Sequence, residues 1–299
     1  MNVSFFFEVL IGGLLAGVMY SLVAIGFVLI YKASGVFNFA QGAMVFFAAL
    51  TFVSLVERGW NFWLALVVTL AVMVALGVVT ERVVLRPLVN QPQITLFMAT
   101  IGLTFVIEGV AQILWGSQPH NLDLGIPDVP LAWVTERTGM NVSTFDIVAA
   151  GIAAALVTGL GLFFSRTRIG RALRAVADDH QAALAVGIPL QQIWGIVWSV
   201  AGFVALVAGL LWGARNGVQF ALTFLALKAL PVLILGGFES IPGAIIGGLI
   251  IGATEKLAEV YIGPFVGGGI EGWFPYVLAL LFLLVRPEGL FGEKHIDRV

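Results

Sequence analysis

Cysteine is absent from the 299-residue chain, so neither a disulfide framework nor a thiolate metal site can be built. Histidine is almost absent. His120, His180 and His295 are far apart in sequence, in stretches that read as loops or tail, and match no metal-binding spacing. Charge is scarce as well: 11% of residues are charged, against about 25% in an average globular domain. With a net charge of -2 there is no basic face to hold nucleic acid. No Gly-x-x-x-x-Gly-Lys-Ser/Thr sequence occurs, so the chain has no P-loop, and His-Glu-x-x-His and Gly-x-Ser-x-Gly are missing too. No nucleophile and base share a position at span depth. The expectation is a chain without catalytic residues, cofactor or metal.

What the sequence has is apolar length, 60% of it hydrophobic. Crossing the hydrocarbon core takes about 20 apolar residues. Candidate spans fall near 8–31, 39–57, 61–81, 94–115, 144–165, 192–213, 221–237, 243–262 and 272–286. The run at 221–237 is short, so eight or nine crossings are expected in an all-α integral membrane protein, a polytopic bundle forming one domain over 1–299. Met1 to Glu8 carries no basic residue, so the first run is expected to be a retained span rather than a cleaved leader. Orientation follows the basic residues of the short loops. With the N-terminus outside and the C-terminus cytoplasmic, Lys32, Arg82, Arg86, Arg166, Arg168, Arg171, Arg174, Arg286, Lys294 and Arg298 face the cytoplasm. Only Arg58, Arg137 and Arg215 face out. Trp60, Trp63, Trp115, Trp212 and Trp273 then sit at outer span ends, where amphipathic rings are favoured. The glycine pairs Gly13–Gly17, Gly209–Gly213, Gly243–Gly247 and Gly248–Gly252 have the spacing that lets helix backbones approach closely.

Three places carry polar chemistry. Asn38 and Gln41 lie near the entry to the second span, at a break flanked by Gly35 and Gly42. Irregular backbone at membrane depth survives only where protein or a water-filled cavity covers it. Asn38 is therefore expected either to bond freed backbone groups and shape a path, or to act as a plain helix cap at the interface. Lys228 and Glu255 lie within spans, as does Glu108, and Lys228 is expected to pair with one of the two carboxylates; otherwise it snorkels outward. The third place is the inner loop at 166–191, which reads as a surface helix. Ser165 or Thr167 can cap its start, Ile169, Ala172, Leu173, Val176, Ala183 and Leu184 form an apolar face, and Gly187 with Pro189 can end it. Arg171, Arg174 and Asp178 occupy the other face. This loop can fix topology, lie on anionic lipid, or seat in a groove of a cytosolic partner, a role its many alanines suit.

Segments in order along the chain carry a family resemblance: Ser34-Gly-Val-Phe-Asn-Phe-Ala-Gln-Gly42, Glu81-Arg-Val-Val-Leu-Arg-Pro87, Thr167-Arg-Ile-Gly-Arg-Ala through Ala185-Val-Gly-Ile188, Leu235-Gly-Gly-Phe-Glu-Ser-Ile-Pro-Gly-Ala-Ile-Ile-Gly-Gly248 and Arg286-Pro-Glu-Gly289. Together they resemble the permeases of branched-chain amino acid ABC importers. The resemblance implies a second related permease chain, two cytosolic ATPase subunits, an extracytoplasmic solute-binding protein and a multi-pass place in the bacterial plasma (inner) membrane. From the glycine-flanked break itself, Asn38, Phe39, Gln41 and Gly42 are expected along the translocation pathway. The resemblance makes 166–191 the ATPase-contacting loop, with Arg168, Gly170, Arg171, Arg174, Ala175, Ala182 and Gly187 as its coupling residues. Two positions depart from the family pattern. Ala43 stands where members often have a carboxylate, and Glu239 where many have a small residue. Urea and short amides thus stay open as substrates beside hydrophobic amino acids, and an ion-coupled carrier is the alternative from another class.

Overall fold

The apolar runs become helices. The computed structural model describes residues 3–88, 91–178 and 180–292; Lys294, His295 and Arg298 lie outside them. Helix α1 is Val3–Ser34, α2 Gln41–Glu57 and α3 Phe62–Val79. The third helix continues through a π-helical turn, Thr80–Leu85, into a 3-10 turn, Arg86–Leu88. Then follow α4 Gln93–Trp115, α5 Ala132–Thr138, α6 Thr144–Arg166, α7 Arg168–Asp178, α8 His180–Ala185 and α9 Leu190–Asn216. A 3-10 turn, Phe220–Phe224, leads into α10 Leu225–Gly236, and α11 is Ile241–Tyr261. The chain ends its described part with α12 Gly263–Val266, a 3-10 turn Ile270–Gly272 and α13 Phe274–Val285. Among the described residues two isolated bridges are the β-type pairings, His120 with Val218 and Pro130 with Ser143.

Local chemistry sets several boundaries. The Asn61 side chain accepts from Trp63 N and starts α3; Ser240 accepts from Gly243 N and starts α11, with Pro242 in its first turn. Among the described residues six helices are long and apolar enough to cross a membrane: Val3–Ser34, Phe62–Leu88, Gln93–Trp115, Thr144–Arg166, Leu190–Asn216 and Ile241–Tyr261. Gln41–Glu57, Phe220–Gly236 and Phe274–Val285 are apolar but shorter. The long ones fall on the runs read from sequence. With the three short ones the apolar helices number nine among the described residues, and these three are too short to count as spans by length.

The chain folds as two compact units that interleave along the sequence. One comprises the residues up to Ile25, Gly125–Gly159 and the residues from Leu227 on. Its centre is a glycine crossing of α1 and α11. A Cβ on Gly13 would stand 2.6 Å from Gly252 O, and one on Gly17 would stand 2.4 Å from Gly248 O. Both helices use their Gly-x-x-x-Gly pairs on each other, and Ser21 Oγ adds a bond to Ile245 O at 3.2 Å. Gly243 and Gly247 bring α10 equally near, against Gly236 O and Val232 O.

The other unit comprises Gly26–Leu124 and Leu160–Ala226. Its core is α2, in which Gln41 through Ser54 are all buried. This helix packs on α3, α4, α9 and the 220–224 turn. Gly209 lets α9 approach Val45 O, while Gly77 and Gly202 seat α3 against α9 at Trp198 and Met73.

Candidate functional site

In the second unit the site is the break between α1 and α2. Helix α1 stops at Ser34; Gly35, at φ +67°, donates its N–H to Tyr31 O at 2.7 Å, a left-handed end that only glycine takes easily. Asn38 is fully buried. Its Oδ1 accepts from Ala40 N at 3.1 Å, and its Nδ2 donates to Gln41 Oε1 at 3.4 Å. Gln41 Nε2 passes the chain on to Ala201 O of α9 at 3.3 Å. The carbonyl of Phe37 accepts from Thr100 Oγ1 at 3.2 Å, and Trp194 Nε1 donates to Ala33 O at 2.8 Å. The ring of Phe37 stacks on Phe27 with centroids 4.6 Å apart, and Phe39 meets Phe37 and Phe97 edge-on. Gly42 has room for no side chain, since a Cβ would lie 2.0 Å from Thr223 O. Side-chain and backbone groups of α4 and α9 thus bond the break at Phe37 O, Ala33 O and the Gln41 amide. Thr100 and Trp194 were not legible as its partners, because nothing in their local sequence points to positions 33 and 37.

In the first unit lies the buried charge. Lys228 Nζ donates to Glu255 Oε1 at 2.9 Å and approaches Glu271 O at 3.5 Å. Tyr20 Oη donates to the same Glu255 oxygen at 3.1 Å, and Lys228 Nζ stands 5.9 Å from the Tyr20 ring centroid. Next to Glu255 in sequence, Lys256 pairs with Glu271 at 3.1 Å, and one turn further along α11 Glu259 accepts from the N–H groups of Gly269 and Glu271. One face of α11 thereby holds α1, α10 and the 270–272 turn. Of the two carboxylates considered from sequence, Glu255 takes the lysine. Glu108 belongs to the other unit, where its side chain interacts with Thr223. Tyr20 and Glu271 carry no sequence signal as partners.

The loop after α6 is two helices, α7 and α8, where one is expected from sequence. Thr167 Oγ1 accepts from Gly170 N at 3.2 Å and is the cap; Ser165 Oγ instead donates back to Leu162 O. Gly170 lies so near α6 that a Cβ would be 1.7 Å from Phe164 O. Arg174 turns back too, donating to Phe164 O at 2.9 Å, so it caps the end of α6. Gly170 and Arg174 are therefore engaged within the chain. Arg168 and Arg171 are exposed, as is Ala182; Ala175 is half-buried. Leu173, Val176 and Ala183 are buried as expected, but Leu184 is 54% exposed, because the apolar stripe does not run unbroken from α7 into α8. Gly187, at φ +84°, ends α8 in the left-handed conformation.

Long apolar helices, a bonded break between two of them and a buried ion pair between two others fit a helical membrane transport protein. The family described as "Branched-chain amino acid transport system / permease component" matches residues 9–286, and the chain belongs to it. The high-affinity branched-chain amino acid permease LivH of Escherichia coli K12 is 29% identical over 99% of this chain and 98% of its own length. BraD of Pseudomonas aeruginosa is also 29% identical, over 98% of both chains. The fructose import permease FruF of Bifidobacterium longum is 25% identical over 79% of this chain and 66% of its own.

Proposed function

We propose that the chain is the membrane-spanning permease subunit of an ATP-driven importer for branched-chain or other hydrophobic amino acids in a bacterial inner membrane. The full-length likeness to LivH and BraD carries this reading. The chain has no P-loop, so ATP hydrolysis belongs to two separate cytosolic subunits docked under α7 and α8. A second permease chain completes the pathway, and a solute-binding protein delivers substrate on the outer side. The N-terminus lies outside and the C-terminus inside, as the ten-to-three bias of basic residues requires. Phe220–Gly236 enters as a short crossing with its lysine held by Glu255. In this reading Arg168, Arg171, Ala175 and Ala182, with Gly187 ending α8, present the coupling surface, and the exposed Leu184 and Val186 fill an apolar pocket of the ATPase. Asn38, Phe39, Gln41 and Gly42 set the shape of the inner pathway by fixing the break between α1 and α2.

The test is purification through a tag on this chain, followed by reconstitution into vesicles. An ATPase chain should accompany it, and uptake of leucine should require ATP together with the binding protein. Uptake by this chain alone under an ion gradient would reject the reading and favour a secondary carrier. ATP-dependent uptake of urea or a short amide, with leucine failing to compete, would keep the importer and reassign the substrate.

A further inference from the structure

A groove of about 710 Å³ runs between α3 and α9 on the flank of the second unit, unused by anything described above. Gly77 and Gly202 press the two helices together along one line. Beside that line Val74, Val78, Ile196, Val200 and Phe203 leave an apolar valley. The end of the valley changes character at the π-helical turn, where the backbone N–H of Arg86 bonds Glu81 O, five residues back. Such wide turns concentrate at functional places. Here the turn carries Glu81 inward, 4% exposed, while Arg82 next to it stays exposed. Glu81 Oε1 is buried without a hydrogen-bond partner and stands 3.8 Å from Arg86 Nε. Arg86 also donates to Gln191. Arg82 lines the same end.

An acceptor oxygen buried without a donor is costly, and the cost falls when something supplies an N–H. Two guanidinium groups beside it call for an anion of fixed geometry, which phosphate matches. The valley calls for a hydrocarbon chain. We propose that this groove binds one phospholipid with a primary amine in its headgroup, such as phosphatidylethanolamine. The ammonium donates to Glu81, the phosphate meets Arg82 and Arg86, and an acyl chain lies along Val74, Val78 and Ile196. Most of the span formed by α3 and its extension faces outward, with 22% of its apolar window buried, so lipid has access. A choline headgroup has no N–H to offer and fits the phosphate end alone.

Lipid retention tests this independently of which solute the transporter moves. The intact transporter, delipidated in detergent, is given phosphatidylethanolamine, phosphatidylcholine or chainless phosphoethanolamine, and bound lipid is counted by native mass spectrometry. The amine lipid should be retained at one per chain, and Glu81→Gln should weaken it about tenfold or more, the loss of a charge-assisted hydrogen bond. Ile196→Trp, which fills the valley, should abolish retention. A photoreactive side chain at position 196 should capture lipid. Equal retention of the choline lipid, equal binding of phosphoethanolamine, retention untouched by both variants, or capture of a protein at 196 would each overturn the proposal.

Discussion

Replacing Lys228 with methionine removes one charge from a pair whose other member, the Glu255 side chain, is only 2% exposed. At 2.9 Å and an effective dielectric near 20, the gross attraction is roughly 6 kcal/mol. Desolvation of both groups cancels most of it, so the intact pair contributes little net stability. The single deletions differ. Loss of one partner of a buried pair costs about 3–5 kcal/mol, because the survivor is stranded. In Lys228→Met the stranded group keeps the Tyr20 hydroxyl, which lowers the cost to about 2–4 kcal/mol. In Glu255→Gln the stranded lysine is 34% exposed and reaches water, so about 1–2 kcal/mol is expected. The double variant should cost no more than Lys228→Met alone, with a coupling of about 2 kcal/mol between the two positions. The assay is reversible unfolding of the reconstituted chain, with uptake measured in parallel. Losses that add within about 0.5 kcal/mol would refute the pair as an energetic unit. Equal costs for the two single variants would refute the burial argument.

The α1–α11 crossing should tolerate nothing larger than glycine. Gly17→Leu places atoms against backbone that cannot yield, and a loss of about 3 kcal/mol or failure to assemble is expected in a melting assay. Asn38→Ala removes the donor to Gln41 and frees Ala40 N, both buried; about 2 kcal/mol should be lost and uptake with it, whereas unchanged melting and uptake would remove the break from the mechanism. The two arginines of α7 should separate. Arg174→Ala should lower stability by about 1–2 kcal/mol through its lost bond to Phe164 O, while Arg171→Ala should leave melting unchanged and weaken ATPase stimulation. Ala182→Trp should uncouple hydrolysis from uptake at normal membrane insertion; normal coupling would place the docking surface elsewhere.

Much of this molecule can be read from hydropathy, because lipid and core alike select apolar side chains in helical runs. The reading weakens where geometry replaces composition. Arg171 and Arg174 look equivalent in the string, yet one faces out and the other closes α6, a difference that depends on the chain reversing at Thr167. Leu184 fits the stripe of α7 by count, but the stripe does not carry through into α8. The π-helical turn has no compositional signature at all, and neither does the choice of Glu255 over Glu108, which depends on which helices meet. The glycine pairs were legible as close contacts, but not that Gly13–Gly17 would face Gly248–Gly252.

The enclosure of α2 bears on how the protein is made. The helix is synthesised second, and α9, one of its main covers, follows after well over a hundred further residues. Until then α2 has to rest in the bilayer as a temporary guest among acyl chains. Its sequence suits that interval. Phe46, Phe47, Leu50 and Phe52 are at home in hydrocarbon, and Thr51 and Ser54 bond their own helix at Phe47 O and Thr51 O, so neither needs a neighbour. Gln41 is different: its amide finds Ala201 O only when α9 arrives. That bond marks the moment of closure, so a ribosome stalled before residue 201 should leave α2 open to lipophilic reagents that the finished protein excludes.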